Sequence, residues 1–592
     1  MFEAATVLLH DNQNPNGQNL LFTRPNEVLV AYDATSARAA LKRLGEAASE
    51  GFWAAGYLAY ELGLLFEERL EALFPKPSAI PLLWFGIYEA PQQLTAPDVA
   101  AVLADAGSGR AADLKPGLDL PAYEKAFCRV KSLIEAGDTY QVNLTMKAGF
   151  QLDGNPLGLY RTLAQSQPVA YGAYINAGDH HVLSRSPELF VSAKGDVLNA
   201  RPMKGTLRRG RTSAEDEAGR LALANDEKNR AENLMIVDLL RNDLSRIAKI
   251  GSVEVTDLFT VETYRSLHTM TSGITARKKP GVGLTGMLEN LFPCGSITGA
   301  PKVRAMEIIH EVEAGPRGIY TGSIGYIAPS GDFSFNVAIR TAIIDSDGHG
   351  EIGIGGGIVA DSTAAAEYEE ALLKLKFLSD PAPPVTLIET FKWTPEEGYV
   401  LLDHHLDRLI DSAAYFALPV TRNHAADYLE AQARDWTAPM RVRLTLSDTG
   451  FELSAVPLPP SPDKFRFAIA PERLDSGSLW LAHKTTNRAF YDQPRQHAHD
   501  QWGLDEVVFL NERGELTEGS FTNLFIEQGG TVLTPPLASG LLPGTLRAEL
   551  IAQGRVQERV LTLADLAAAD AIWLGNSVRG LIRAEWVRDQ DT

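Results

Sequence analysis

Residues 351 to 374 read EIGIGGGIVADSTAAAEYEEALLK, a stretch whose residue types could hold both an anion and a metal ion. Gly353, Gly355, Gly356 and Gly357 leave backbone N–H groups open that a Cβ would shield, which suits a carboxylate, and a helical pattern follows them. On that helix Glu367, Glu370 and Lys374 fall at i, i+3 and i+7 and so share one face. Glu232 lies near the start of a second helical pattern, RAENLMIVDLLRNDLSRI. Two carboxylates converging from different helices, with coordination positions left open, are what a Mg²⁺ shared by protein, water and substrate requires. Taken singly, each glutamate reads as a solvated surface charge and the glycines as a turn. GIGGG does not fit the GxGxxG spacing of a dinucleotide site.

The elements that must position these residues are mixed. Strand-like alternation in VLNARPMKGTLRR and FSFNVAIRTAIID sits among amphipathic helices, predicting an α+β fold. After the helical pattern from Tyr368 to Leu378 comes SDPAPPV, where Pro381, Pro383 and Pro384 stop a helix and favour an extended connector. Residues 379–385 are therefore expected to link a domain of residues 1–378 to one of residues 386–592. A stretch from Ala90 to Gly117, rich in Ala, Gly, Pro and Asp, reads as a surface excursion rather than core.

Composition narrows the partners. The chain has 592 residues, 45% hydrophobic and 22% charged, with 55 Lys+Arg against 75 Asp+Glu. A formal charge of -20 opposes binding to nucleic acid or to an anionic membrane surface and favours a small-molecule substrate. Cys128 and Cys294 are too few for a disulfide framework and form no zinc spacing, as expected of a cytoplasmic protein. The N-terminus lacks a basic segment followed by a long apolar run, and no window reaches the roughly 18 apolar residues of a membrane helix, so a soluble chain is expected.

Five stretches occur together and in order: SRSPELF at 184, RPMKGTLRR at 201, DEKNRAENLMIVDLLRND at 226, FPCGSITGAPKVRAME at 292, and the glycine-rich stretch. Over about residues 50 to 378 they resemble the chorismate-utilising enzymes, the family of the anthranilate, isochorismate, salicylate and aminodeoxychorismate synthases. The resemblance implies a two-sheet β-sandwich with flanking helices, its chorismate-binding core at about residues 117–378. It also implies Mg²⁺ ligands at Glu232 and Glu370 with Glu367 nearby, and chorismate contacts at His268, Ser296, Tyr320, Arg340, Gly356 and Lys374. Arg340 and Lys374 would take the two substrate carboxylates, one by a guanidinium fork and one as a point charge. Ser296 stands where relatives often have Thr. Without the resemblance His268 reads as a core histidine.

Within that family Lys204 resembles the nucleophilic lysine of the aminodeoxychorismate branch, where anthranilate synthases have a small residue. The resemblance implies attack of Lys204 on ring C2 with loss of the C4 hydroxyl, then entry of ammonia at C4. Such an amine must have its pKa depressed by desolvation or nearby positive charge. Glu188 matches the general acid and base for the departing hydroxyl. YQVNL at 140–144 resembles the same branch, and Gln141 stands where salicylate synthases have a water-activating lysine. Neither cysteine sits in a GxCxG setting, so a separate glutaminase subunit is the expected source of ammonia.

From Val385 on, HKTTNR at 483, GELTEGSFTNLFI at 514 and GLLPGTLR at 540 resemble the fold-type IV pyridoxal-phosphate enzymes, whose α/β domain would span about residues 385 to 590. Pyridoxal 5'-phosphate asks for an amine, an acid to keep its pyridine nitrogen protonated, and a cradle for its phosphate. The resemblance puts Lys484 in the first role and Glu518 in the second. Arg408, Gly544, Thr545 and Ser577 fall in the third, with Gly544 and Thr545 opening a helix. It also implies that a homodimer completes the site. The two halves together imply p-aminobenzoate synthesis: chorismate is aminated, then pyruvate is eliminated by the lyase half, with Lys484 as base. The alternative is an anthranilate synthase-like or aminodeoxychorismate synthase domain joined to an amino-acid transaminase.

Overall fold

Residues up to Ala382 build two sheets of ten strands each, every recorded pairing antiparallel. The structure, a computed structural model, describes residues 2–14, 16–74, 80–265 and 267–588. It divides into one unit of Met1–Arg208 and Arg220–Ala382 and a second of Arg209–Gly219 and Pro383–Thr592. The short stretch Arg209–Gly219 thus groups with the C-terminal unit, which no break in composition signals.

In the first unit, strand Gln141–Gly154 pairs with His349–Ile358, setting Asn143 opposite Gly357 and Leu144 opposite Gly356. In the other sheet, Met203–Arg208 pairs with Leu267–Arg277, which sets Lys204 opposite Met270. One buried cluster takes Leu144, Met146 and Ile354 from the first sheet and Leu198, Ile274 and Phe335 from the second. FSFNVAIRTAIID is not one strand. Phe333–Asn336 belongs to one sheet and Thr341–Asp345 to the other, and between them Arg340 adopts a left-handed φ of 49° that an extended strand cannot contain. VLNARPMKGTLRR likewise divides into Val197–Arg201 and Met203–Arg208 at Pro202, which has no N–H for a ladder.

The stretch from Ala90 to Gly117 is more ordered than its composition predicts. Helix Ala96–Ala104 starts at a capping box between Thr95 and Asp98 and buries Val99 and Leu103. Strand Gly109–Pro116 then pairs with Gln141–Gly154. Between Lys376–Ser379, a single turn, and strand Leu387–Thr394 the proline-rich connector has no regular structure. Among the described residues no helix is long and apolar enough to cross a membrane.

The second unit holds a four-stranded antiparallel sheet and an eight-stranded mixed sheet. Helix Leu402–Tyr415 buries Leu406, Leu409 and Ala413, spaced three and four residues apart and so on one face, against Leu387, Phe391, Val442 and Leu444 of the smaller sheet.

A buried ion pair secures the first unit next to the residues of interest. Arg317 donates to Glu313 at 2.7 and 2.9 Å and to the carbonyls of Ile297 and Asn143 at 2.9 and 2.6 Å, with both side chains at most 5% exposed. Removing one partner strands the other charge in a dry interior. Glu313→Ala is expected to lower the unfolding free energy by about 3–5 kcal/mol, measured by urea denaturation.

Candidate active sites

Lys204 is half-buried on its strand, and burial pushes its pKa down, opposed by Glu232, Glu188 and Glu370 and reinforced by Lys374. Its amine approaches the glycine-rich strand. A Cβ on Gly357 would lie 3.0 Å from Lys204 Nζ and 2.8 Å from Gln141 Nε2, contacts too tight for a side chain, so only glycine leaves both groups in place. Gln141 is 1% exposed, and neither its carboxamide nitrogen nor its oxygen has a hydrogen-bond partner among the described residues.

Glu188 is 3% exposed, and burial pushes its carboxyl up to about 7. The hydroxyl of buried Ser296 donates to its Oε1 at 2.7 Å. Ser296 sits in the 3₁₀ turn Gly295–Ile297, beside the Ile297 carbonyl that Arg317 holds. The structure thus gathers Lys204, Glu188 and Ser296.

The three glutamates read as metal ligands cluster loosely. Glu232 is half-buried on helix Glu227–Ile247, which Asn233 ties to the Lys204 sheet by accepting from Ser272 at 2.6 Å and donating to the Met270 carbonyl at 3.3 Å. Glu370 pairs with Lys374 at 2.9 Å, and that ammonium chiefly holds its carboxyl low. Glu367 accepts from Ser362 at 2.7 Å and is pushed up by burial. A Cβ on Gly356 would meet Glu367 Oε2 at 3.1 Å and Lys374 Nζ at 3.7 Å. Among the described residues, the group of three ligands with all atoms within 4.8 Å is Asp345, Asp347 and His349, exposed and distant in kind from this site. Glu232, Glu367 and Glu370 are not drawn together to that degree, so a Mg²⁺ placed among them would take most of its coordination from water and substrate.

Lys374 is not free: besides Glu370 it donates to the Gly355 carbonyl at 2.7 Å. Arg340 is the opposite case. Burial pushes its guanidinium down to about 10, and its Nη1 is buried with no hydrogen-bond partner. Tyr320 lies flat against Gly353, where a Cβ would come within 2.1 Å of the ring. His268 is 1% exposed, with Nδ1 2.9 Å from the Thr263 hydroxyl.

In the second unit Arg408, Lys484, Glu518, Gly544, Thr545 and Ser577 all line one cavity of about 510 Å³. Lys484 has its pKa lowered to about 7, mainly by burial and further by Arg408 and Arg488. Glu518 is 4% exposed and raised to about 7 by burial, while accepting from Tyr491 at 2.5 Å, from the Leu542 N–H at 2.8 Å and from Asn523 at 3.1 Å. The turn that follows is fixed by buried Glu506, which accepts from Ser520 N–H and from Thr522 Oγ1 at 3.0 Å.

Arg408 does not present a free fork. Its Nε and Nη2 bind Glu389 at 2.9 and 2.7 Å, and its Nη1 donates to the Pro543 carbonyl at 3.0 Å. Burial raises Glu389, but Arg408 and His405 outweigh it and hold the carboxyl at about 2. His405 Nδ1 lies 2.5 Å from Glu389 and its Nε2 2.9 Å from the Ser577 hydroxyl. Glu389, His405, Tyr491 and Glu506 escape the sequence reading. Glu389 had a signal: it alternates with Leu387 and Phe391 and so faces the apolar side of its strand.

A family model of chorismate binding enzymes matches residues 5–380, and one of class IV amino-transferases matches residues 386–585. Aminodeoxychorismate synthase component 1 of Bacillus subtilis is 41% identical over 252 residues, 43% of this chain and 53% of the relative. Anthranilate synthase component 1 of Pseudomonas aeruginosa is 38% identical over 270 residues, 46% of this chain and 55% of the relative. The chain therefore spans about half the length of these curated relatives. The crystal structure of anthranilate synthase component I from Streptococcus pneumoniae TIGR4 aligns with a TM-score of 0.53 at 28% identity, covering 62% of this chain and 93% of that one.

Because Glu188 is raised in the folded state, between about 4.5 and about 7 the native protein binds a proton that the unfolded chain has lost. Stability contributed by this group is complete below pH 4.5 and falls as pH rises toward 7. Glu188→Gln is expected to remove that decline, roughly 3 kcal/mol across the window, as measured by urea midpoints against pH.

Proposed function

The chain belongs to the chorismate binding enzyme family, and on that premise we propose that it makes p-aminobenzoate in two steps. The observation that carries the reading is a pair of half-buried lysines, each with its pKa lowered by desolvation and each electrostatically coupled to a buried glutamate raised to about 7: Lys204 with Glu188, and Lys484 with Glu518.

In the first step Lys204 Nζ attacks C2 of chorismate while Glu188 gives a proton to the departing C4 hydroxyl; ammonia then adds at C4 and the lysine leaves. A carboxyl near 7 can both give and take a proton at neutral pH. Arg340, with its unpartnered Nη1, is proposed to bind one substrate carboxylate. Ser296, Tyr320, His268, Gly356 and Lys374 complete the substrate contacts in this reading. Glu232, Glu370 and Glu367 would hold a Mg²⁺, which supplies charge stabilisation at substrate oxygens. Lys374 would then exchange Glu370 for substrate.

In the second step pyridoxal 5'-phosphate, when bound, supplies an electron sink. The cavity fits it: a buried amine, a buried acid and a helix N-terminus share one space of suitable size. Lys484 would hold the cofactor and take the proton from C4 of the aminated ring, and Glu518 would face the pyridine nitrogen. Gly544, Thr545, Ser577 and Arg408 would receive the phosphate. Loss of pyruvate then leaves an aromatic ring.

The proposal includes a separate glutaminase subunit, since Cys128 is an exposed helix residue and burial, with Glu188 nearby, pushes the Cys294 thiol up to about 12. It includes a domain boundary in residues 379–385, the two ten-stranded sheets as leaves of a sandwich, a homodimer and a cytoplasmic setting. Lys204 favours the para product over anthranilate, and Gln141 argues against hydrolytic, isochorismate-type chemistry.

Given chorismate, ammonia, Mg²⁺ and pyridoxal phosphate, the full chain is expected to form p-aminobenzoate, followed by chromatography. Lys484→Ala should accumulate aminodeoxychorismate, and Lys204→Ala should leave chorismate unconsumed. Anthranilate as the product would replace this reading with the anthranilate alternative. Cofactor capture, read by visible absorbance, should rise through about pH 7 as Lys484 loses its proton.

A further inference from the structure

The second cavity is also lined by charge that the proposed chemistry does not use. Strand Met440–Ser447 alternates, so that Val442 and Leu444 enter the core while Arg441 and Arg443 line the cavity. Their register partners Val456 and Ser454, and Thr390 beside Arg443 on the next strand, line it too. From the eight-stranded sheet, Arg579 follows strand Ala571–Asn576 and reaches the same cavity, its guanidinium 5.9 Å over the Phe465 ring.

Among the described residues no carboxylate pairs with Arg441, Arg443 or Arg579. The other arginines of the cavity are engaged: Arg408 by Glu389, Arg488 by Asp492 at 2.9 Å, and Arg495 by the Asp505 carbonyl at 3.2 Å and the face of Phe521. Burial lowers the Arg579 pKa, and Arg441 and Arg495 lower it further, so these cations sense one another. Asp505 offsets this only from a distance, its side chain being tied to the Arg466 N–H at 2.8 Å. Arg441 and Arg443 are exposed where they line the cavity and Arg579 is half-buried, so in a chain with 20 more acids than bases these three guanidiniums stand open to an incoming anion.

We propose that Arg441, Arg443 and Arg579 form an anion-recognition wall that selects, for the second cavity, amine substrates carrying two carboxylates over those carrying one. The inference rests on the proposed use of this cavity and extends it, because a ring bearing a carboxylate and an enolpyruvyl ether is such a dianion. Guanidinium forks on two separate elements match two carboxylates held apart by a rigid ring. An aliphatic amino acid has one carboxylate and would leave part of the wall unanswered.

The test uses the full chain loaded with pyridoxal phosphate, whose visible absorbance reports the second cavity alone. The dianion 3-(carboxymethoxy)benzoate and the monoanion 3-methoxybenzoate are titrated against that absorbance. The dianion is expected to bind more tightly, and Arg441→Gln, Arg443→Gln and Arg579→Gln each to weaken it about tenfold, the loss of one charge-assisted contact, while weakening the monoanion less. Equal losses for both probes, an unchanged dianion, or no response to the dianion would overturn the wall. Arg→Lys replacements, which keep the charge and lose the fork, serve if a Gln variant releases the cofactor, and should weaken the dianion by a smaller factor. If the wild type prefers the dianion through these arginines yet makes no p-aminobenzoate from aminodeoxychorismate, the wall stands and the lyase reading falls. If it makes p-aminobenzoate and the variants bind the dianion normally, the lyase reading stands and the wall falls.

Discussion

Removing a primary amine from water is the constraint on which both sites depend. An ammonium loses its hydration when buried, and the protein answers by letting the proton go; the same burial pushes a nearby carboxylic acid the other way. Burial lowers Lys204 and raises Glu188 to about 7, and it brings Lys484 down and Glu518 up, each to about 7. In each pair the charge of one partner opposes the effect of burial on the other. Two unrelated architectures use the same device.

The surrounding scaffold is specialised for holding such groups dry. Around Lys204 the means is backbone: glycines at 353 and 357 let a ring, an amine and a carboxamide approach a strand that a side chain would push away. Around Lys484 it is buried acids. Glu506 satisfies the donors of one turn and Glu389 those of Arg408 and His405, so the polar groups lining the cavity are fixed before any ligand arrives. Arg317 and Glu313 do the same service for the loop beside Ser296.

Much of this is legible in the sequence because it is local. The helix Leu402–Tyr415 follows from the spacing of Leu406, Leu409 and Ala413, and the connector at Pro381, Pro383 and Pro384 from missing donors. What escapes is pairing at a distance. That Phe333–Asn336 and Thr341–Asp345 enter different sheets depends on the left-handed backbone at Arg340, which arginine does not advertise. The stretch from Ala90 to Gly117 looks like loose surface because its strand owes its order to a partner, Gln141–Gly154, rather than to its own residues. The motif marks Lys374 without its partners: its ammonium is shared between Glu370 and a carbonyl, an arrangement that only the folded helix end creates. Arg408 was read as a phosphate arginine without the buried Glu389 that accompanies it.

That ion pair alters how an anion would be welcomed there. With its positive charge already matched by an acid held at about 2, Arg408 contributes a directional N–H lattice more than a net attraction. Attraction would then come from the N-terminal peptide groups of helix Thr545–Ala552 and from hydroxyls, whose dipoles act only at short range. That part of the cavity discriminates by shape and hydrogen-bond geometry, and any long-range pull on an anion comes from Arg441, Arg443 and Arg579 on the same cavity instead.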